Sequence, residues 1–319
     1  MATSCGGISP HSDSSEGAEA FVLLDLKMHQ KRIWVTGSSG LIGSAVCRLS
    51  SRVIPDFEFV PMTRQRLDLT DHSAIREVFR SERPSGVIHC AAISRSPLCR
   101  NNPALAEQVN VEATRVLHEA AEDVPFIFFS SDLVFDGTKG NYSERDSPNP
   151  LGVYADTKVR AEGYVLRNPQ HTVVRTSLNA GMSPSGDRSF VEEIRQALWQ
   201  GKLLKLFTDE FRCPVPAEFT ALAVLSLLRE RACGIYHIAG GERLSRYEIG
   251  VLTAKMFGAD TSQIVPGTLE DYEGDPRPAD TSLNCLKLQQ LIVGSLPSFS
   301  DWTRETRDFA GSDAKEIRR

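Results

Sequence analysis

With 319 residues, the chain has room for one large domain or two closely joined ones; 41% hydrophobic against 24% charged residues is the balance of a globular protein with a core. A net charge of −5 excludes the broad basic face of a nucleic-acid binder, though not a local basic pocket for phosphates. Seven cysteines (Cys5, Cys47, Cys90, Cys99, Cys213, Cys233 and Cys285), odd in number and never spaced as Cys-x-x-Cys, argue against a disulfide framework or a zinc site and for reduced thiols in a cytoplasmic protein, and no apolar run reaches membrane-spanning length.

In chain order, residues 1–30 read as a disordered extension, rich in Ser, Gly and small polar types over 1–18. Phe21-Val22-Leu23-Leu24 is too short, and too bare of preceding basic residues, for a secretory signal. Arg32 to Thr36 reads as a buried strand, followed by a glycine-rich turn and a helix to about Leu49. Phe57 to Met62 is a second strand; Asp71 to Arg80 is helical, with Asp71 as its cap; Gly86 to Ala92 is a third strand. A long helix runs from Pro103 to Glu122, then a strand over Pro125 to Ser130, a polar loop, a helix from about Tyr154 and a strand over Thr172 to Thr176. This alternation predicts an α/β fold, a doubly wound parallel sheet of the Rossmann type, with residues 31–178 as the NAD(P)-binding domain. Past Leu178 come a polar loop (Gly181 to Asp187), helices over Phe190 to Gln200 and Ala217 to Arg231, a strand-like run over Gly234 to Ala239, and an amphipathic stretch over Leu244 to Phe257 capped by Ser245. Residues 179–319 are therefore expected to form mainly a small substrate-binding lobe, interleaved with late sheet strands.

The turn is Gly37-Ser-Ser39-Gly40-Leu41-Ile42-Gly43. Glycines there let the backbone turn tightly and approach a pyrophosphate, while the helix N-terminus supplies free N–H groups and a favourable dipole. A bare glycine pattern is weak evidence, but here strand, turn and helix follow in the required order. At the end of the second strand, Pro61-Met-Thr63-Arg64-Gln-Arg66 has no acid before Asp68. An acid would hold the ribose hydroxyls of NAD; arginines suit the 2′-phosphate of NADP. The favoured cofactor is NADP(H), with NAD(H) as the alternative.

Tyr154 and Lys158, in Tyr-Ala-Asp-Thr-Lys, share one helix face. Ser131 stands at the end of its strand, where such sheets open onto their ligand crevice. Ser131 would polarise a substrate carbonyl, Tyr154 would protonate its oxygen as hydride arrives, and Lys158 would tune the phenol. A free tyrosine, with pKa near ~10, is poorly matched to neutral proton exchange, and the lysine is expected to lower it by ~2–3 units. His89 and His237, inside strand-like runs, are read as structural. Asp209, Glu210 and Asp271 to Asp275 lack ordered ligand spacing and are read as solvated acidic surface, so no metal is expected. Arg212 and Arg277 are candidates to clamp a nucleotide diphosphate, or else partners in ordinary salt bridges.

These motifs carry a resemblance. Ser130-Ser-Asp-Leu-Val-Phe-Asp-Gly137, Pro150-Leu-Gly-Val-Tyr-Ala-Asp-Thr-Lys158 with Glu162 one turn on, Val174-Arg-Thr-Ser177 and Arg277-Pro-Ala-Asp-Thr-Ser-Leu283 resemble successive segments of the dTDP-4-dehydrorhamnose reductase family of extended short-chain dehydrogenases/reductases. The resemblance runs from about Arg32 to Leu291. It implies an NADPH-dependent reductase of a nucleotide-activated 4-keto sugar, as in dTDP-rhamnose biosynthesis, with Ser131, Tyr154 and Lys158 catalytic. It also implies that Asp68 and Leu69 face the adenine, that Ala91 and Ala92 line the cofactor, that Asn110 steadies the lysine region through water, and that Ser131 and Asp132 approach the sugar. Leu133, Gly152, Ala155, Leu178 and Val215 depart from the family pattern near the sugar, which bears on substrate rather than on the hydride path.

Two other functions compete. A sugar epimerase of the same superfamily fits the motifs; a dehydratase fits less well, because Ser131-Asp132-Leu133 lacks the second carboxylate that elimination needs. The third is a non-catalytic NADP-binding regulatory subunit resembling the methionine adenosyltransferase β subunit, which shares the motifs. The expected partner is a nucleotide sugar, with no nucleic acid and no membrane, and with a homodimer left open.

Overall fold

A computed structural model of the chain describes residues 31–292 and 294–316; the expectation for residues 1–30 lies outside them. Six parallel strands form the central sheet: β1 (Lys31–Thr36), β2 (Phe57–Met62), β3 (Gly86–His89), β4 (Phe126–Ser131), β5 (Thr172–Thr176) and β6 (Gly234–Ile238). Their order across the sheet is β6-β5-β4-β3-β1-β2. The first strand, β1, thus lies between β3 and β2, and the strand order reverses direction there, which is where such sheets open a crevice at their carboxyl ends.

Strand alternation builds the two faces. Ile33, Val35, Ile88, Ile127, Phe129 and Val174 point to one face, against Val46 and Leu49 of the helix Leu41–Val53 and Val224 and Leu228 of the helix Ala217–Arg229. Trp34, Val87, Phe126, Phe128 and Val173 point to the other, against Ile75, Val116, Leu117, Ala161 and Val165 from three further helices. The strands are buried on both faces, so they read as apolar runs rather than as alternating polar and apolar residues.

A separate core lies beyond the sheet. Phe190, Val191 and Ile194 of the helix Phe190–Trp199, Ile249 and Ala254 of the helix Arg246–Met256, and Phe299 at the start of the helix Phe299–Glu316 pack together, with the paired strands Leu204–Phe207 and Ile264–Gly267 against them. Between the two cores run short strand pairs: Asn179–Ala180 with Val215–Pro216, and Phe211–Arg212 with Leu244–Ser245.

Two expected elements differ. The third strand stops at His89 instead of running to Ala92, because Ile93 bonds the Asn110 side chain through both its N–H and its C=O. The expected single helix from Pro103 is α-helical over Pro103–Ala106, passes through a π-helical turn over Glu107–Glu112, and resumes over Ala113–Ala120. The wider turn carries the fully buried Asn110.

Candidate functional site

A cleft of about 540 Å³ opens at the carboxyl ends of the strands. The glycine turn forms its floor on one side. Gly37 has φ +64°, and a Cβ there would meet the backbone of Ala91 at 2.7 Å; a Cβ on Gly43 would meet Gly37 O at 2.4 Å. The turn closes through Gly40 N donating to Gly37 O (2.9 Å), and no side chain caps the helix Leu41–Val53. Its first N–H groups are thus available to an anion. Gly37, Ser39, Gly40, Leu41, Ile42 and Gly43 all line the cleft, as do Ala91 and Ala92.

Arg64, Asp68 and Leu69 line the same cleft. The Arg64 side chain is 82% exposed and reaches Asp68 only at 3.4 Å, whereas Arg66 is turned onto Glu82 at 2.9 Å. Hydrogen bonds from Thr70, backbone and side chain, hold the Asp68 carboxyl below the usual range. These residues put an exposed guanidinium, and no buried acid, on the lining of the cleft.

Ser131, Tyr154 and Lys158 line the same cleft. Ser131 ends β4. Its hydroxyl donates to Asp132 Oδ1 (3.2 Å) and accepts from Leu133 N (3.2 Å). Tyr154 and Lys158 lie in the first turns of the helix Val153–Val165, which is buried along the face that carries them. Burial pushes the Tyr154 phenol up from its ordinary value, with the Ser131 hydroxyl opposing that shift. This departs from the expected lowering: removal from water is the largest cause and outweighs the bond from Ser131. The Lys158 ammonium lies 4.3 Å from the Phe128 ring centroid, and burial lowers it to about 8. The cleft thus holds a cation that is easily deprotonated beside a phenol that holds its proton.

Other site residues stand one layer back. Asp132 is fully buried and does not line the cleft. Its carboxylate accepts from both Nε (2.7 Å) and Nη2 of Arg212, from Ser177 Oγ (2.7 Å) and from Thr281 Oγ1 (3.3 Å). Asp132 is therefore a buried counter-ion rather than a group facing the sugar, because no oxygen is left over for a ligand. Arg212 lines the cleft, but its fork is spent on that carboxylate. Arg277 is outside the cleft, bound through Nε (2.6 Å) and Nη2 (2.9 Å) to Glu210. Glu210 is itself fully buried and not solvated surface: burial raises its carboxyl, Arg277 lowers it, and the net shift is downward. Asn110 bridges Ile93 to Thr157 Oγ1 (3.1 Å) on the Tyr154 helix, a direct side-chain link behind the cleft.

His89 is buried between Thr36 (2.6 Å from Nδ1) and Thr114 (3.0 Å from Nε2), and burial lowers it to about 3. Burial also pushes the Cys47 and Cys213 thiols up to about 11 and Cys285 up to about 12, so they stay protonated near neutrality. Among the described residues, no group of three or more His, Cys, Asp or Glu side chains is placed to hold a metal ion, and no helix is long and apolar enough to cross a membrane.

Sequence reasoning missed Ile93, Leu105, Val109, Asn179, Arg188 and Phe190, which also line the cleft. For Asn179 a signal existed, since it follows the carboxyl end of β5. Its amide nitrogen is held by Thr176 Oγ1 (2.9 Å) and Ser177 O (3.0 Å), leaving Oδ1 buried and unpartnered, as is Ser130 Oγ. Both atoms belong to residues that line the cleft.

The family described as RmlD substrate binding domain matches residues 31–310. Methionine adenosyltransferase 2 subunit beta of Xenopus laevis is 31% identical over 306 residues, covering 88% of this chain and 89% of that protein. The probable low-salt glycan biosynthesis reductase Agl14 of Haloferax volcanii is 30% identical over 285 residues, covering 84% and 94%. Among solved structures, a dTDP-4-dehydrorhamnose reductase from Clostridium acetobutylicum superposes with a TM-score of 0.79 at 26% identity, covering 88% of this chain and 99% of that one.

Proposed function

The chain belongs to the RmlD substrate binding domain family, and on that premise we propose that it is an NADPH-dependent reductase of a nucleotide-activated 4-keto sugar. The observation that carries this reading is one cleft lined both by the glycine turn and by Ser131, Tyr154 and Lys158. In it, residues 31–178 hold the dinucleotide, and residues 179–319 mainly receive the sugar nucleotide. The residues present fit a dinucleotide: the tight approach of Gly37 to Ala91 and the uncapped helix end form a seat for a pyrophosphate, and exposed Arg64 is a partner for a 2′-phosphate.

Bound NADPH supplies hydride; the rest is the work of the chain. Ser131 turns its hydroxyl toward the carbonyl oxygen and exchanges its bond to Asp132 for one to substrate. Tyr154, which holds its proton firmly in this buried setting, is the acid that delivers it as charge develops on that oxygen. Lys158 is the cation that stabilises the phenolate left behind, and its own lowered value keeps the proton mobile near neutrality. Apolar Leu133, Leu178 and Phe190, lining the same cleft, exclude water from the exchange.

The test is a panel of nucleotide 4-keto sugars offered with NADPH or NADH, followed by loss of reduced-nicotinamide absorbance. Turnover of one member by the wild type, and a fall of at least ~100-fold in kcat for Tyr154→Phe with dinucleotide affinity kept, is the expected result. A second reading is favoured by the similarity to Methionine adenosyltransferase 2 subunit beta across most of both chains: a dinucleotide-binding regulatory subunit. Under that reading NADPH binds, no keto sugar is reduced, and Tyr154→Phe is silent.

A further inference from the structure

Lys158 and Glu162 are four residues apart on one buried helix face, the spacing at which a lysine and a glutamate ordinarily pair. They do not. Glu162 is 3% exposed, and both its oxygens are taken by Arg175 of β5, with Nε at 3.0 Å and Nη2 at 2.7 Å. Arg175 is 2% exposed, its Nη1 has no partner, and its guanidinium carbon lies 5.1 Å from the Phe135 ring centroid, so it is packed into this place rather than drawn there by solvent. The Lys158 ammonium makes no ion pair among the described residues and rests on the Phe128 ring instead.

We propose that Arg175 is a positioning residue: by occupying both oxygens of Glu162, it withholds from Lys158 the carboxylate its own helix would supply, and so leaves the ammonium free for the Tyr154 phenol and a bound ribose. This deepens the reductase reading and rests on it for its catalytic meaning.

The other groups around Lys158 do not replace that carboxylate. On its own helix it has Tyr154 and Glu162. From β3 and the loop after it come His89 and Cys90, and from the helix Ser96–Asn101 comes Cys99. Burial pushes both thiols up and lowers the imidazole to about 3, so all three are neutral at working pH. From β4 there is only the Phe128 face. On the far side of Arg175, His237 of β6 is lowered to about 3, first by burial and then by the guanidinium itself, and cannot compete for Glu162. Among the described residues, Glu162 is thus the carboxylate that acts on Lys158: second to burial, it raises the ammonium through space even while both its oxygens are bonded to Arg175, and a direct pair would raise it further.

The experiment follows Lys158 directly, by NMR titration of lysine side chains labelled with carbon-13 in the cofactor-free protein, and so does not depend on turnover. In Arg175→Met, the released Glu162 turns to Lys158, and the lysine titrates at least about one pH unit above wild type; in the double variant Arg175→Met/Glu162→Gln it returns to within about half a unit. Where a keto sugar is reduced, the limb of the pH–rate profile assigned to Lys158 moves the same way, with kcat falling more than the KM for NADPH rises. Identical Lys158 titration in Arg175→Met and wild type would overturn the proposal, whatever the activity. Should Arg175→Met not fold, Glu162→Gln decides: a shift of less than about one unit supports a carboxylate already spent on Arg175, and a larger drop identifies Glu162 as the lysine's working counter-ion and refutes the proposal. Normal titration shifts in a chain that reduces no keto sugar would sink the reductase reading alone.

Discussion

Lys158 is held at a cost to the fold. A buried ammonium lowered from 10.5 to about 8 is less stable folded than unfolded by ~3 kcal/mol at neutral pH. Lys158→Met should therefore stabilise the cofactor-free protein by roughly that amount at pH 7 while abolishing the reduction proposed above. The sign follows from linkage. The folded value is depressed, so the penalty is full below about pH 8 and fades as pH rises toward 10.5, where the unfolded lysine also loses its proton. Denaturant melts of wild type and variant should converge across that window; a constant gap, or a variant less stable than wild type, would contradict the account. The Tyr154 and Lys158 pair was legible because i and i+4 share a helix face whatever the tertiary structure. The direction of the phenol's shift was not, because it depends on how much water the fold removes, and no spacing encodes that.

Local signals fixed helix starts well and helix interiors less well. Ser245 and Ser189 each accept from the backbone N–H three residues on, while Glu248 and Glu192 reach back to the serine N–H. Ser245→Ala should cost about 1 kcal/mol, read as a lower melting temperature with unchanged dinucleotide binding, because the helix Arg246–Met256 lies outside the cleft lining. Glu192 does more than cap. Its carboxylate also binds Ser183 and the backbone of Arg188, fastening the loop that carries Arg188 to the cleft edge. The cap at Ser245 was read from the sequence; the equivalent cap at Ser189 and the reach of Glu192 to Ser183 were not. The π turn over Glu107–Glu112 was also invisible, since its cause is Asn110 being drawn inward to Ile93 and Thr157, contacts made across 17 and 47 residues.

Across the whole molecule, the sheet and lobe are joined through charge. Asp132, after β4, and Arg212, 80 residues later, form a buried bidentate pair at the back of the cleft, and Arg212 stands 3.9 Å from Glu210, which holds Arg277. Arg212→Met leaves Asp132 as an uncompensated buried anion and should cost ~3–5 kcal/mol in chemical denaturation; the double variant Asp132→Leu/Arg212→Met should recover most of that. No recovery would place the cost in lost packing instead. The strands and their parallel arrangement were legible, because buried parallel strands are apolar runs between turn residues; their order across the sheet was not read from the sequence. The burial of Glu210 was not, because an acid looks the same in sequence whether an arginine or water will satisfy it.

Gly137 marks the same seam. It takes φ +77°, and a Cβ there would meet Ala279 N at 2.6 Å, so the loop after β4 lies backbone to backbone against the segment that follows Arg277. The last strand of the sheet, β6, arrives only after the chain has visited the lobe, and the helix Ala217–Arg229 before it packs beside the first helix. A fragment cut at residue 178 would therefore keep the glycine turn yet bare the edge of β5 and one apolar flank of the first helix. Chimeras meant to exchange the lobe need two crossovers, one on each side of residues 217–238, so that a recombined protein inherits its sheet from a single parent.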